Sequence, residues 1–167
     1  MQVILMAVGD DRPGLTRSLA DAIVGAGGNW LESHFARLGG KFVGSVLVEL
    51  PGDRVGHLEG AMAAMDAAGF HVTLTPSAED PGQSGRVLCF ELVGRDRPGI
   101  IQEVSAALTG LDVNIISLDS NVEPGAMSGE LLFRARACVE VPEGASLDSV
   151  QEVLERISGE IMVDFED

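Results

Sequence analysis

The chain contains few aromatic and few basic side chains. It has 167 residues, with no tyrosine and one tryptophan, and 11 basic side chains stand against 26 acidic ones, which gives a net charge of −15. Contacts to nucleic-acid phosphates need clustered Lys and Arg, and anionic membrane surfaces attract basic segments. The composition therefore excludes nucleic acid and membrane as direct partners. No apolar run is long enough to span a bilayer, and the apolar opening segment lacks the basic region of a signal peptide.

An internal repeat organises the whole chain. The stretch "VGDDRPGL" begins at Val8, and "VGRDRPGI" begins at Val93. At this offset of 85 residues nine pairs are identical, and the offset becomes 91 later because six extra residues lie near "EPGAMSG" in the second repeat. A stretch rich in Pro, Gly, Ser and acidic residues separates the repeats and has linker composition. We predict domains at 1–76 and 86–167, joined by a linker at 77–85.

Each repeat shows the same order of hydrophobic periodicities: strand, amphipathic helix, two strands, amphipathic helix, strand. This βαββαβ order is the ferredoxin-like unit, so the predicted fold class is α+β with two tandem domains of this kind. Right-handed crossovers place both helices on one face of each sheet. In the third strand of the second repeat, the residues expected to face the helices are Phe133, Ala135, Ala137, Val139 and Val141. Domains this small need further cover, so we expect a homodimer.

The cysteines and histidines do not form a recognisable metal or redox motif. Cys89 and Cys138 lack metal-type spacing and align with Ile4 and Leu47, so they are interpreted as replacements of apolar residues in a reducing, cytoplasmic setting without a disulfide framework. The two cysteines could also be neighbours on the sheet face away from the helices, where a disulfide is the alternative. The three histidines lie in the first repeat and align with no histidine in the second: His34, His57 and His71. No metal and no cofactor is expected.

The repeated Asp-Arg-Pro-Gly segment lies between a predicted strand and a predicted helix. Proline is favourable at the first helical position, and glycine allows another group to approach the backbone closely. The N–H groups of the first turn lack partners within the helix and carry a positive partial charge, which suits a carboxylate or phosphate. Asn29 and Asn114 follow each glycine by fifteen residues. Because the first two strands flank the first helix, we expect each Asn to approach the turn and to bind a free amino acid there.

A purely structural interpretation of the same segment is also open. In it the Asp caps the helix, Pro and Gly shape a tight turn, and the Asn only begins a strand. One copy of the motif favours this interpretation, whereas two copies in equivalent places favour a binding site.

These residues resemble the ACT domain family, small ferredoxin-like modules that bind amino acids and regulate. The segments "DRPGI", "NIISLDSNV" and "GAMSGELLFRA" resemble tandem proteins related to the glycine cleavage system transcriptional repressor. The resemblance implies ligands beside the first strand–helix loop of each repeat and action through a protein partner, a transcription factor or an enzyme. In the first repeat it implies the ligand-binding residues Asp11, Arg12, Pro13, Gly14, Leu15 and Asn29. In the second repeat it implies Asp96, Arg97, Pro98, Gly99, Ile100 and Asn114.

The two repeats differ around the expected sites. The first lacks the "GAMSG" loop, and Trp30 stands where the second has Ile115, so the second repeat is expected to hold the better site. An acylphosphatase on this fold would carry a Gly-x-Val-Gln-Gly-Val loop, and a metallochaperone would carry Cys-x-x-Cys; neither is present. No catalytic set appears in both repeats, so we predict no enzyme activity. The predicted function is amino-acid sensing in amino-acid metabolism, with glycine among the candidate ligands, and the alternative is a structural adaptor without a ligand.

Overall fold

The structure is a computed structural model of the chain that describes residues 1–78, 82, 85–125, 129–157 and 161–166. The chain divides into two compact units, Met1–Asp80 and Pro81–Asp167. Each unit has its own four-stranded sheet and its own hydrophobic core. Within the described residues, no helix has the length and apolar character needed to cross a membrane.

The first unit has the βαββαβ order that its hydrophobic pattern predicts. Its elements are β1 (Gln2–Asp10), α1 (Leu15–Gly25), β2 (Asn29–Leu38), β3 (Lys41–Glu49), a 3-10 turn (Gly52–Arg54), α2 (Val55–Ala67) and β4 (Phe70–Pro76). Apolar residues at helical spacing bury one side of α1 against the sheet. The hairpin between β2 and β3 has two residues, Gly39 at φ 57° and Gly40 at φ 80°. Glycine suits this left-handed backbone, which matches the twist of the two strands.

The second unit repeats the same order. Its elements are β5 (Arg86–Arg95), α3 (Ile100–Thr109), β6 (Asn114–Pro124), β7 (Leu131–Val141), α4 (Leu147–Glu155) and β8 (Ile161–Phe165). Ser146 caps α4, because its side-chain oxygen accepts a hydrogen bond of 3.0 Å from the backbone N–H of Ser149. The predicted α+β class with two ferredoxin-like units is confirmed.

Strand register decides which residues lie at the same end of each sheet. The orders are β2-β3-β1-β4 and β6-β7-β5-β8, and the neighbouring strands are antiparallel. Since β3 is antiparallel to both β1 and β2, these two strands run in the same direction. At one end of β3, Glu49 pairs with both Gln2 and Asn29; at the other end, Lys41 pairs with Asp10. The loop that follows β1 therefore lies at the end of the sheet where β2 finishes.

Each sheet buries the face that carries the two helices. In the first unit β1 contributes Val3, Leu5 and Ala7 to the core, together with apolar residues of α1 and α2. In the second unit all five residues of β7 that were expected to face the helices are buried: Phe133, Ala135, Ala137, Val139 and Val141. The alternate residues of these strands lie on the opposite face of each sheet.

The two cysteines form a disulfide bond. Cys89 of β5 and Cys138 of β7 are direct cross-strand partners on the face away from the helices, with 4.1 Å between their Cα atoms. The expectation of a chain without a disulfide is wrong, and the alternative of neighbours on that face is the one observed. Register explains the pairing, since the equivalent residues Ile4 and Leu47 are also direct partners in the first sheet. The cysteines therefore do not indicate a reducing compartment.

Candidate functional site

The two strand–helix loops, Asp11–Gly14 and Asp96–Gly99, have the same backbone geometry. Gly14 is the N-cap of α1 with φ 97° and ψ −4°, and Gly99 is the N-cap of α3 with φ 94° and ψ −2°. Among the residues that the structure describes, no side chain caps either helix. The N–H groups of each first turn therefore have no side-chain acceptor within the described part of the chain, and they point out of the helix end with a positive partial charge.

This geometry corrects two details of the sequence interpretation. Each helix begins after the glycine, so Pro13 and Pro98 precede the N-cap and do not occupy the first helical position. The aspartates, Asp11 and Asp96, do not cap the helices either. The left-handed glycine takes the N-cap position that the Asp was expected to fill, because the chain turns sharply there before entering the helix.

Ion pairs and a hydrogen bond hold the first loop in place. The Arg12 guanidinium donates a hydrogen bond of 2.8 Å to the carbonyl oxygen of Ala68, just after α2. The Asp11 carboxylate pairs with Arg37 at the end of β2, and Asp10 pairs with Lys41 at the start of β3. The hydrogen bond from Lys41, together with its charge, holds the pKa of the Asp10 carboxyl below its ordinary value.

The second loop is held differently. Arg97 donates two hydrogen bonds of 2.6 Å to the carboxylate of Glu103, one turn into α3. This contact holds the pKa of the Glu103 carboxyl below its ordinary value, chiefly through the hydrogen bond. The residue equivalent to Glu103 in the first unit is Ser18, which carries no charge for Arg12 to bind. The sequence difference between Ser18 and Glu103 explains why the two arginines have different partners.

Asp96 differs from Asp11 in its surroundings. Its backbone N–H donates a hydrogen bond of 2.9 Å to the carbonyl oxygen of Leu131, which fixes the loop against β7. The residue equivalent to Arg37 is Val122, an exposed side chain without charge. Among the described residues, no hydrogen bond or ion pair engages the exposed Asp96 carboxylate. This carboxylate is therefore available to a cationic group from outside.

The asparagines lie far from the loops of their own units. Asn29 pairs with Glu49 and lies level with the start of β1, whereas the Asp11–Gly14 loop follows the end of β1. Asn114 is level with Val87 in the same way. With about 3.3 Å per strand residue, the separation along each sheet is about 26 Å. The expectation that Asn29 and Asn114 approach the turns is wrong, because α1 and α3 run back along the sheet and deliver each Asn to its opposite end.

The sequence analysis did not identify the charged residues that lie beside the loops, where the asparagines were expected. In the first unit these are Arg37 and Lys41, which flank the two-residue hairpin, and in the second unit Arg95 pairs with Glu130 at 3.2 Å. The sequence contained this information, because the two-residue turn between β2 and β3 fixes the last residues of β2 beside the end of β1. Of the "GAMSG" segment expected to favour the second site, residues 126–128 lie outside the described residues.

Two of the three histidines contact acidic side chains outside the two loops. His34 lies 3.1 Å from Glu32, and His71 lies 2.5 Å from Asp66, with each distance joining a ring nitrogen to a carboxylate oxygen. In the part of the chain that the structure describes, no group of three or more His, Cys, Asp or Glu side chains is arranged to hold a metal ion.

The comparison with protein families matches the first of the two units. A model of the ACT domain matches residues 1–73. The first unit is an ACT domain. The second unit has the same element order and strand order as the first, so the chain carries two domains of this fold in tandem. A search of curated protein sequences found no match.

Two solved structures match this chain over nearly its full length. One is an unknown protein from Galdieria sulphuraria, with 26% identity, a TM-score of 0.81, and 99% of this chain and 96% of that chain covered. The other is assigned by its description as a glycine cleavage system transcriptional repressor, with 17% identity, a TM-score of 0.74, and 99% and 97% of the chains covered. At 17% identity this second likeness shows the fold alone. Neither match is described as an enzyme.

Proposed function

We propose that this protein is a regulatory sensor that binds a small amino acid at its strand–helix loops and acts through a protein partner in amino-acid metabolism. The observation that carries the proposal is the combination at the second loop: a helix start without a side-chain cap beside an aspartate that no described residue engages. A free amino acid has one carboxylate and one ammonium group, and this loop offers donors for the first and an acceptor for the second.

In the proposed complex, the ligand carboxylate accepts hydrogen bonds from the N–H groups of the first turn of α3, beginning at Ile100. The ligand ammonium group binds the Asp96 carboxylate. A hydrogen bond to a charged group contributes about 1.5–3 kcal/mol, and a charge at a helix start contributes about 0.3–1 kcal/mol. After the cost of ordering the ligand, these contributions support a dissociation constant between about micromolar and millimolar. This range suits a protein that reports the size of a metabolite pool.

The first loop is the weaker site in this proposal. Its helix start is equally open, and a Cβ atom placed on Gly14 would meet nothing within 4 Å. Its acid, however, is already paired, because Asp11 contacts Arg37. A ligand ammonium group would have to compete with this guanidinium, so we propose that the second loop fills first.

The proposed partner is a protein, either a transcription factor or an enzyme. A net charge of −15 disfavours direct contact with DNA phosphates. The full-length match assigned as a transcriptional repressor of the glycine cleavage system supports a regulatory role, with glycine as one ligand to test. In this proposal the protein is a cytoplasmic homodimer without catalytic activity, and its disulfide would respond to the redox state of that compartment.

The deciding experiment is a thermal-shift screen of the twenty amino acids, followed by calorimetry. A ligand at one hundred times its dissociation constant stabilises the folded state by about 2.7 kcal/mol, which corresponds to several degrees for a unit of this size. One or a few small amino acids should raise the melting temperature. If none does, and calorimetry detects no heat of binding for any amino acid, the sensing proposal fails.

A structural adaptor without a ligand is the second candidate function. The observation in its favour is that both arginines of the loops and one of the two aspartates already have partners within the protein, as in the contacts of Arg12 with Ala68 and of Arg97 with Glu103. An adaptor would bind its protein partner equally well with and without amino acids. A sensor would bind it with an affinity that depends on the ligand.

A further inference from the structure

The first sheet carries an exposed apolar surface on the side opposite its helices. We define the apolar face by Ile4, Met6, Val8, Ala36, Val43 and Leu47, which share this side by strand register. Met6 is 48% exposed and Val8 is 41% exposed. A groove of about 410 Å³ crosses this face, and its walls include Met6, Val8 and Val43. Side chains of this kind are normally covered when they form a contiguous patch.

The surroundings of the apolar face are polar, and most of their charged side chains lie at its two ends. Register places His34 and Ser45 beside Met6 in one row across the sheet, and His71 beside Val8 in the next. Thr73 and Thr75 lie on β4 at the margin, and Glu32 on the edge strand β2 is the one carboxylate among the positions level with Ile4, Met6 and Val8. No Lys or Arg occupies these positions, and the charged residues Asp10, Lys41 and Glu49 share this side only at its two ends, where Lys41 pairs with Asp10. A partner whose contact surface is strongly charged would therefore find little complementary charge at the centre of this face.

The equivalent face of the second sheet has the opposite character. Glu91 stands where the first unit has Met6, and Arg134 stands where it has Val43. Arg134 lies 3.6 Å from Glu91 and 3.1 Å from Glu123, and the neighbouring Arg136 lies 2.7 Å from Glu166. These side chains satisfy one another while half-exposed or exposed, which is the behaviour of a face that stays in water. The fold is common to both units, so the apolar character is a property of the first sheet alone.

We infer that the apolar face binds the apolar face of a second copy of this chain, so that the homodimer of the proposed function is built by the first units. A charged protein surface, such as the face bearing Arg134, would lose its hydration when packed against Met6 and Val8. It would gain no opposite charge from these two side chains. A second copy offers the same apolar surface, and a two-fold axis makes such a surface self-complementary. Two sheet faces pack in this way about 10 Å apart in β-sandwiches.

The available area supports a reversible dimer. Four strands at about 4.8 Å spacing and about 30 Å length present roughly 570 Å². Two copies would bury roughly 1,100 Å², which exceeds the limit of about 1,000 Å² for a specific interface and lies below the standard size of about 1,600 Å². The dimer should therefore dissociate measurably on dilution.

The test introduces into the first sheet the pair of charged residue types that the second sheet carries. The double variant Met6→Glu/Val43→Arg places on the first sheet the residue types that this fold already carries at Glu91 and Arg134. Analytical ultracentrifugation of the full chain should show a wild-type dimer at micromolar concentration. The double variant should be a monomer, with a dimer dissociation constant raised at least about 100-fold because charges would be buried in the interface. Arg136→Ser, which places the residue type of Ser45 on the second sheet, is the control and should remain a dimer.

The outcomes separate this inference from the sensing proposal. A wild-type monomer at high micromolar concentration overturns the dimer. A double variant that has the wild-type circular dichroism spectrum and remains a dimer overturns the assignment to the apolar face. If the double variant does not fold, Met6→Ser/Val43→Thr provides the same comparison without charge, and an unchanged dissociation constant then counts against the inference. Amino-acid binding, measured on the same samples, can fail or succeed independently of all these results.

Discussion

Arg97 holds the carboxylate of Glu103 through both of its terminal nitrogens, each 2.6 Å from an oxygen, across the first turn of α3. The pair orients the second loop while leaving the N–H groups of the same turn without a side-chain cap. In the first unit Arg12 contacts the carbonyl oxygen of Ala68 instead. One motif in two repeats thus has two different supports, and the predictions below depend on that difference.

The carboxyl of Glu103 should titrate at a lower pH than an ordinary glutamate. Its pKa is lowered mainly by the hydrogen bond from Arg97. A lowered pKa in the folded state means that the pair contributes to stability above the pKa of the unfolded chain, and that this contribution is lost as pH falls through the folded value. Carbon-detected NMR titration of the glutamate carboxyls should show the shift. Arg97→Gln should return the Glu103 pKa to its ordinary value, and an unchanged pKa in that variant would contradict the contact.

Asp96→Asn should weaken amino-acid binding by about tenfold to 100-fold. The substitution removes the charge that is proposed to bind the ligand ammonium group, and such a contact contributes about 1.5–3 kcal/mol. Melting temperature should change little, because Asp96 does not cap α3. Asp164→Asn, an exposed acid on β8, is the charge-matched control and should bind like the wild type.

Asn114→Ala should leave the affinity of the second loop unchanged. Asn114 begins β6 at the end of the sheet opposite the Asp96–Gly99 loop. Calorimetry on this variant distinguishes the observed register from the sequence-based expectation of a direct contact. A tenfold loss of affinity would mean that this Asn reaches a ligand by a route that the unit by itself does not provide.

Gly14→Ala should destabilise the first unit, whereas Gly60→Ala should stabilise it. Gly14 has φ 97°, a conformation that costs an L-residue about 1–2 kcal/mol. Gly60 lies inside α2, where a Cβ atom would meet nothing within 4 Å and alanine is favoured by about 0.5–1 kcal/mol. Urea unfolding followed by the fluorescence of Trp30, the single tryptophan, measures both changes in this unit. Shifts of the same sign in the two variants would contradict the assigned backbone conformation.

Cys89→Ser/Cys138→Ser should destabilise the second unit and leave the first unchanged. The disulfide joins residues separated by 49 positions, and closing a loop of that length restricts the unfolded chain by about 4 kcal/mol. Trp30 fluorescence should give the wild-type midpoint, while circular dichroism should show an earlier transition. A reducing agent should reproduce this pattern in the wild type and have no effect on the double variant. Identical unfolding of the oxidised wild type and the variant would mean that the bond is not formed.

Several features of the fold follow from local patterns of residues. The alternation of Phe133, Ala135 and Ala137 with polar residues was enough to assign the buried side of β7, since successive strand residues point to opposite faces. The helical spacing of Leu15, Leu19 and Ile23 identified α1 and its buried side in the same way. Such patterns repeat within a few residues, so neither assignment needs knowledge of the rest of the chain.

By itself the sequence determined the repeat, the order of elements and the position of both glycine loops, because each depends on neighbours in the chain. Only the tertiary structure decided which distant residues meet. It joined Cys89 to Cys138, directed Arg12 to Ala68, and separated Asn114 from Asp96. The physical reason is strand register: pairing between strands fixes which end of the sheet a residue reaches, and that pairing depends on the packing of the whole sheet against its helices.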